Sequence, residues 1–320
     1  MAKVAKRRGP KVTLLAGGVG AARLLRGLAR LVEGPDLTIV VNTGDDERFY
    51  GLDVSPDLDT IVYTLAGVAS RARGWGIEGD GFTAQEELRR LYGEAWFAIG
   101  DRDLATNLYR SERLASGLTL SEVTAAICDS YGIEQRVLPM SDDRVRTLVF
   151  TRQGRLSFQD FLVRQGGRPR VERVAYAGVR RARPAPGVLE AVEQADVVVI
   201  APSNPFVSIG PIVALPGVRA ALRRCGSRVV AVSPLIGGRA VKGPLDGMLR
   251  SMGHGRGTEA LAAIYANLAA TLVVAPGDGP RRRPMKTWPE IIEHDILIAD
   301  AASAESLSRF LLARCGFGEH

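Results

Sequence analysis

From position 12 the chain alternates between two textures. The runs "VTLLA" and "LTIVV" are almost wholly apolar and read as strands covered on both faces. The stretches "ARLLRGLARL" and "PDLDTIVYTLAG" instead repeat their apolar residues every three to four positions, which is helix spacing with one face turned to a core. Strand, helix, strand, helix predicts a parallel α/β sheet. From 83 to 131 the pattern is mainly helical. "TAQEELRRLYG" and "TLSEVTAAICDSYG" each place a threonine three residues before a glutamate, the spacing of a reciprocal helix cap, so Thr83 and Thr119 are the expected starts. Between 144 and 183 the texture turns strand-like: in "VRTLVFTRQGRLSFQDFLV" two apolar runs flank Gln153 and Gly154. The α/β alternation returns with "GVLEAVEQADVVVIAPSNP" and "CGSRVVAVSPLIGG". The expected organisation is a tail over 1–11, an α/β core built from 12–143 and 184–320, and a small β-rich insertion over 144–183.

Composition narrows the function classes. At 320 residues with 46% hydrophobic content the chain can bury a large core without staples. Cys128, Cys225 and Cys315 have no paired spacing, so neither a disulfide framework nor a cysteine zinc site is indicated. His254, His294 and His320 are scattered over the last quarter, which argues against a histidine metal cluster or a histidine base. The net charge of +7 is concentrated in Lys3, Lys6, Arg7, Arg8 and Lys11 and in Arg281, Arg282 and Arg283, a solvated tail and a solvated loop, so no nucleic-acid partner is expected. The tail lacks the apolar stretch of a secretory signal, and no run approaches the roughly 20 apolar residues of a membrane span. A cytoplasmic protein with no membrane partner is expected.

The strand ends carry the chemistry. In an open parallel sheet, ligands bind beyond the carboxyl ends of the strands, where helix N-termini offer free N–H groups to anions. Four strands end in ligand-type turns: Gly17-Gly18-Val19-Gly20, Thr43-Gly44-Asp45-Asp46, Ser203-Asn204-Pro205 and Ser233-Pro234. The glycine turn lacks the Gly-Lys-Ser/Thr ending of a P-loop. It also departs from GxGxxG, because Arg23 stands where a small residue should let helix and strand pack closely. Alone, it is either a tight turn that needs glycine or a phosphate cradle. Nearby, Asp45, Asp46, Asp57 and Asp59 converge on the same sheet edge. A cluster of acids beside a phosphate site suits Mg²⁺, which takes one or two carboxylates plus phosphate oxygens. One of Asp57 and Asp59 is expected to cap the helix that starts there. Pro56 fixes an extended approach that favours Asp57 for the metal. In "IGDRDLATNLYRS", Asp101, Arg102 and Asp103 open a further helix, with a surface ion-pair network as the plain alternative to a site.

At these residues the chain resembles a known family. "LLAGGVGAARLLRGL", "VVNTGDDERFYGLDVSPDLDTIVYTLAG", "RGWGI", "GDRDLAT", "LPMSDD", "FQDFLV", "APSNPFVSIGPIVALPGVR" and "AVSPLIGG…VKGP" stand in the order seen in the 2-phospho-L-lactate transferase family of the CofD/FbiA type. The match runs over residues 12–246, with only "HDILIAD" recognisable beyond 253. The resemblance implies a Rossmann-like core with a smaller lobe, and a step in coenzyme F-420 biosynthesis. In that step the phosphate-bearing part of a guanosine diphosphate-linked three-carbon acid moves to the ribityl hydroxyl of the deazaflavin Fo, with Mg²⁺ as cofactor and GMP released. Lactyl, enolpyruvyl and glyceryl arms all stay open, and a homodimer is a family expectation.

On that resemblance, Gly17, Gly18, Gly20, Ser203, Asn204, Ser208 and Gly210 are assigned to the nucleotide donor, and Lys242 to its phosphates. Asp45 or Asp46 with Asp57 or Asp59 would hold the metal, with Asp45 and Asp57 preferred there and Asp46 and Asp59 left for proton transfer. Arg102, with Thr106 and Asn107 one turn on, would bind the deazaflavin or the donor's carboxylate. Two alternatives come from other classes. A CofD-like regulatory protein would bind a nucleotide sugar without catalysis, and an NAD-dependent oxidoreductase would bind NADH.

Overall fold

The structure, a computed structural model, describes residues 9–318. The basic residues Lys3, Lys6, Arg7 and Arg8, and His320, lie outside the described residues. Seven strands form one wholly parallel sheet: β1 (Val12–Ala16), β2 (Leu37–Val41), β3 (Arg136–Pro139), β4 (Val197–Ile200), β5 (Val229–Val232), β6 (Thr271–Val274) and β7 (Glu290–Glu293). Their spatial order is β3-β2-β1-β4-β5-β6-β7, so the chain winds outward from β1 in one direction and then returns to β4 and winds outward in the other. This is the doubly wound Rossmann-like arrangement. Its switch point lies between β1 and β4.

The apolar runs explain the sheet. Every residue of β1, β2, β4, β5 and β6 is buried, whereas β3 and β7 at the edges show exposed positions. Alternate side chains feed two cores: Leu14 and Ile39 pack with helices on one face, and Leu15 and Val40 on the other. The first face carries α1 (Gly18–Leu31), α2 (Pro56–Leu65) and the last helix, Ala301–Arg314; the second carries shorter helices between 188 and 264. Among the described residues no helix is long and apolar enough to cross a membrane.

The helical stretch resolves into α3 (Thr83–Tyr92), α4 (Asp101–Ala115) and α5 (Leu120–Ser130). The reciprocal cap of Thr119 with Glu122 is present. Thr83 does not cap α3. It lies inside the helix, and its N–H and that of Ala84 donate to the carboxylate of Asp101 at the start of α4, so a tertiary acid displaces the local hydroxyl. Asp101 is therefore neither part of a surface ion-pair network nor part of a ligand site.

Within 144–183 three antiparallel strands, Arg146–Thr151, Gly154–Ser157 and Val171–Ala177, form their own sheet with the first in the middle. The "FQDFLV" run is not a strand. The Ser157 hydroxyl donates to the Asp160 carboxylate and accepts from the Asp160 backbone N–H, and a wide helical turn over Asp160–Arg164 follows instead. This small sheet is fastened to the core beside the switch point. Thr147 N–H donates to the Gly44 carbonyl at 2.7 Å, and the Tyr176 hydroxyl donates to the Phe206 carbonyl.

The crossing of α1 and the last helix is set by Gly27, where a Cβ would overlap the Ala304 carbonyl oxygen. Gly27→Ala should force the two helices apart and cost about 1–3 kcal/mol of stability, an overpacking penalty. A denaturant midpoint unchanged from wild type would show that the helices yield freely.

Candidate active site

The strand register brings the ends of β1, β2 and β4 level: Ala16 pairs with Val41, and Leu15 with Ile200. The residues that follow each strand therefore emerge together at the switch point. Gly17 is the extended residue before α1, and a Cβ there would lie 2.7 Å from Ser208 Cβ and 3.0 Å from Asp57 Oδ2. At Gly20 a Cβ would overlap the Pro202 carbonyl. Gly18 has φ +71, a left-handed conformation that glycine adopts without strain. The Ser203 hydroxyl donates to the Gly17 carbonyl at 2.6 Å, tying the β4 turn to the β1 turn. Asn204 accepts from Phe206 N–H and organises the loop that ends at Ser208. All of these face one cavity except Gly210, which packs under the Tyr176 hydroxyl where a Cβ would overlap it. Gly210 thus serves the docking of the small sheet, not the donor.

Asn42, the first residue beyond β2, organises the acids. It is fully buried, and its Oδ1 accepts from Gly44 N–H, a side-chain turn that folds the chain back after the strand. Its Nδ2 donates to Asp45 Oδ1 at 2.7 Å and to Asp57 Oδ2 at 2.9 Å. Asp57 Oδ1 also accepts from Gly18 N–H at 2.7 Å. Asp57 caps the neighbouring α1, not its own helix, whose first turn has no side-chain cap. Burial pushes the Asp57 carboxyl up to about 6 against these hydrogen bonds, and burial together with the Asp57 charge holds Asp45 well above the usual carboxylate range. Two carboxylates pinned side by side and short of positive charge fit a divalent cation that completes its shell with phosphate oxygens and water. No set of three or more His, Cys, Asp or Glu side chains suited to a metal occurs among the described residues.

Asp46 and Asp59 are committed elsewhere. Asp46 Oδ2 accepts from the Ser55 hydroxyl at 2.8 Å, while its Oδ1 is buried without a partner. The residue does not reach the cavity surface, and burial raises its carboxyl to about 7. Asp59 touches the cavity but makes a bidentate ion pair with Arg110, a residue only 2% exposed. Burial would lower the Arg110 pKa, and the Asp59 carboxylate more than offsets it. The Asp59 charge is already matched by Arg110, so this acid has less to offer a cation or a proton than Asp45 and Asp57. The expectation that Asp57 or Asp59 caps α2 fails because both carboxylates have stronger tertiary partners.

The same strut explains the "GDRDLAT" stretch. Arg110 also donates to Asn107 Oδ1 at 2.7 Å, and Asn107 Nδ2 donates to the Asp103 carbonyl at 2.9 Å. Asp103 Oδ1 accepts from the Tyr63 hydroxyl at 2.8 Å, and the Thr106 hydroxyl bonds Tyr63 as well. Asp80 accepts from the N–H groups of Arg102 and Asp103 and so caps α4. Arg102 is exposed, its guanidinium donating to the Glu78 carbonyl at 3.4 Å, and it does not line the cavity. Thr106 and Asn107 are likewise behind the wall. Asp103 is the member of this stretch that faces the cavity, its carboxyl raised to about 7 by burial and by the Asp59 charge.

The cavity holds about 620 Å³. One end is polar, formed by the glycine turn, Asp45, Asp57, Ser203, Asn204 and Ser208. The other walls are apolar and include Trp75, Trp96, Phe97 and Phe158. Lys242 reaches the rim near Gly74, and Ile296, Leu297 and Ile298 of "HDILIAD" close another side. Asn42, Arg110, the aromatic wall and 296–298 were not singled out from the sequence as site residues.

A family model described as 2-phospho-L-lactate transferase CofD matches residues 12–301, a span that takes in every one of these elements. The chain belongs to the CofD family. Among its relatives, the phosphoenolpyruvate transferase of Streptomyces coelicolor is 42% identical over 262 residues, covering 80% of this chain and 82% of its own. That of Kitasatospora aureofaciens is 45% identical over 262 residues, covering 80% and 81%. That of a Mycobacterium species, strain KMS, is 43% identical over 282 residues, covering 82% and 85%. A solved UPF0052 family member from Bacillus halodurans superposes with a TM-score of 0.58 at 16% identity, covering 96% of this chain and 100% of that one. That likeness is one of fold. As a CofD transferase, the chain has its glycine turn, its paired aspartates and its aromatic wall around one cavity.

Two measurements test the electrostatics. Arg110→Met should cost about 3–5 kcal/mol because it leaves Asp59 buried and unpaired. Adding Asp59→Leu should recover much of that loss, and a double variant no better than the single one would count against the strut. Asp103 binds its proton more tightly folded than unfolded, so its contribution to stability is full below pH 4 and is lost as pH rises through about 7. Asp103→Asn keeps the Tyr63 hydrogen bond and stays neutral. It should melt above wild type at pH 8, with the difference vanishing at pH 4, and a constant offset would refute the shift.

Proposed function

We propose that this chain transfers the phosphoenolpyruvyl group of a guanylylated phosphoenolpyruvate to the ribityl hydroxyl of the deazaflavin Fo, in coenzyme F-420 biosynthesis. The acceptor oxygen forms a bond to the β-phosphorus and gives up its proton to bulk solvent, the anhydride bond breaks, and GMP leaves with the bonding electron pair. The observation that carries this reading is the pairing of Asp45 with Asp57 through Asn42 beside a helix N-terminus at the switch point. The choice of the enolpyruvyl arm over lactyl or glyceryl rests on relatives above 40% identity that carry the name phosphoenolpyruvate transferase.

Asp45 and Asp57 would hold Mg²⁺, which supplies charge neutralisation for the transferred phosphoryl oxygens. The N–H groups of Val19 and Gly20, which have no acceptor within the first turn of α1, bind donor phosphate. Ser203 fixes the loop that covers it. The walls of Trp96, Phe97 and Phe158 exclude water and offer flat apolar surface to a deazaflavin ring. With a good leaving group, alignment and electrostatics supply most of the acceleration.

Incubation of the enzyme with Fo and each guanylylated acid, followed by mass analysis, should give product chiefly from the enolpyruvyl donor. Asp57→Asn should lower turnover by about 10²- to 10³-fold and move the Mg²⁺ dependence to higher concentration, as expected for a lost electrostatic contact in the transition state. Absence of product from all three donors would sink the transferase assignment. Wild-type Mg²⁺ dependence in Asp57→Asn would sink the metal assignment alone.

A further inference from the structure

Arg102 being outside the cavity leaves the carboxylate of the donor without the partner expected for it. Two cationic side chains line the cavity, Arg23 and Lys242, against four carboxylates, Asp45, Asp57, Asp59 and Asp103. Arg23 is the one on a rigid element, in the second turn of α1. It borders a second, narrow cleft of about 30 Å³ that it shares with Arg26, Arg71, Thr60, Thr64, Ser70 and the Gly74–Gly76 loop. Three arginines thus border one cleft, Arg26 half-buried and Arg23 and Arg71 exposed, and none of the three makes an ion pair among the described residues. Arg71 gives its backbone N–H, not its guanidinium, to Glu78. Arg73, next but one, is already used: it lies over Trp75 and Phe82 and donates to the Ile77 carbonyl. Burial, then Arg71 and Arg23, depress the Arg26 pKa, the mark of like charges held together without a counterion.

We propose that Arg23, backed by Arg26 and Arg71, forms the subsite for the carboxylate of the donor's three-carbon arm. The proposal rests on the transferase reading above for the identity of the donor. Helical side chains lean toward the N-terminus, so Arg23 reaches back over the turn of Val19 and Gly20 where phosphate binds. One helical turn spans about 5.4 Å, so a phosphate held at the first turn of α1 leaves the carboxylate of a three-carbon arm within reach of a long side chain one turn on. A planar fork of donors matches a carboxylate in two-point contact, and the two further arginines raise the local positive potential in a cavity otherwise rich in acids. The subsite selects for a carboxylated arm of any of the three kinds. It does not read the carbon skeleton between phosphate and carboxylate.

The test uses the full-length protein and two readouts. Arg23→Gln should raise the KM for guanylylated phosphoenolpyruvate by about 10- to 100-fold, the loss expected when a charge-assisted contact is replaced by a neutral one, with little change in kcat. The affinity for GMP, which lacks the arm, should stay within twofold of wild type, and Arg23→Lys should recover part of the loss. Independently of turnover, tryptophan fluorescence, with Trp75 beside the cleft, should report phosphoenolpyruvate binding more tightly than inorganic phosphate. That preference should disappear in the Arg23→Gln, Arg26→Gln, Arg71→Gln triple variant. An unchanged donor KM, or equal weakening of GMP and donor, would overturn the subsite. If fluorescence shows the carboxylate preference but no donor is turned over, the subsite stands and the transferase reading falls.

Discussion

The site depends on one buried amide. Asn42 follows a fully buried strand and is itself fully buried, so its side chain depends on internal hydrogen bonds. It spends Oδ1 on shaping its own turn and Nδ2 on joining Asp45 to Asp57. Two carboxylates at that spacing repel each other, and each is further disfavoured by burial. Without the amide between them they would separate or be protonated apart. With it, the acids are held where the sheet reverses its winding, beside the start of α1.

A second constraint keeps the remaining acids from joining that pair. Asp59 sits two residues from Asp57 on the same helix and borders the same cavity, yet Arg110 neutralises it from behind. A fully buried ion pair of this kind contributes little net stability, because desolvation of both charges offsets their attraction. Its structural effect is orientation: α4 is locked against α2 through Arg110, Asn107, Asp103 and Tyr63 in one connected set of hydrogen bonds. The exposed face of α4, including Arg102, is then left to solvent.

How much of this is legible in the sequence follows from the range of each interaction. The parallel sheet, the glycine turn and the convergence of strand ends are local patterns repeated along the chain, and the apolar runs of β1, β2, β4 and β5 announce them. The convergence of Asp45 and Asp57 is legible too, since both follow strand and turn signals close in sequence. The division of labour among the four aspartates is not, because it is decided by partners 15 to 51 residues away, Asn42 for Asp57 and Arg110 for Asp59. Arg102 illustrates the same limit: in a helix, adjacent residues point in different directions, and the face of α4 turned inward is the one carrying Asp103, Asn107 and Arg110. Thr83 and the "FQDFLV" run differ from expectation where a nearby side chain, the Asp101 carboxylate for the one and the Ser157 hydroxyl for the other, offers the backbone an acceptor the apolar pattern does not announce.

Charge balance then relates the two ends of the cavity. Asp57 already occupies the N–H of Gly18, the first donor that a phosphate meets at the start of α1. A phosphate approaching that turn therefore faces an anion in the place where the helix is most positive. The repulsion is removed only if the Asp45–Asp57 pair is neutralised, by protons at low pH or by a cation near neutrality. On the proposed reading, cation and donor each make the other's binding favourable, since the paired acids attract the cation and the cation and α1 together attract phosphate. On the same reading Arg23, in the second turn of α1, can draw a second anionic group along the helix. An anion with charge at both of its ends is then aligned across the turn, with its central phosphorus left facing the apolar half of the cavity where an acceptor must enter.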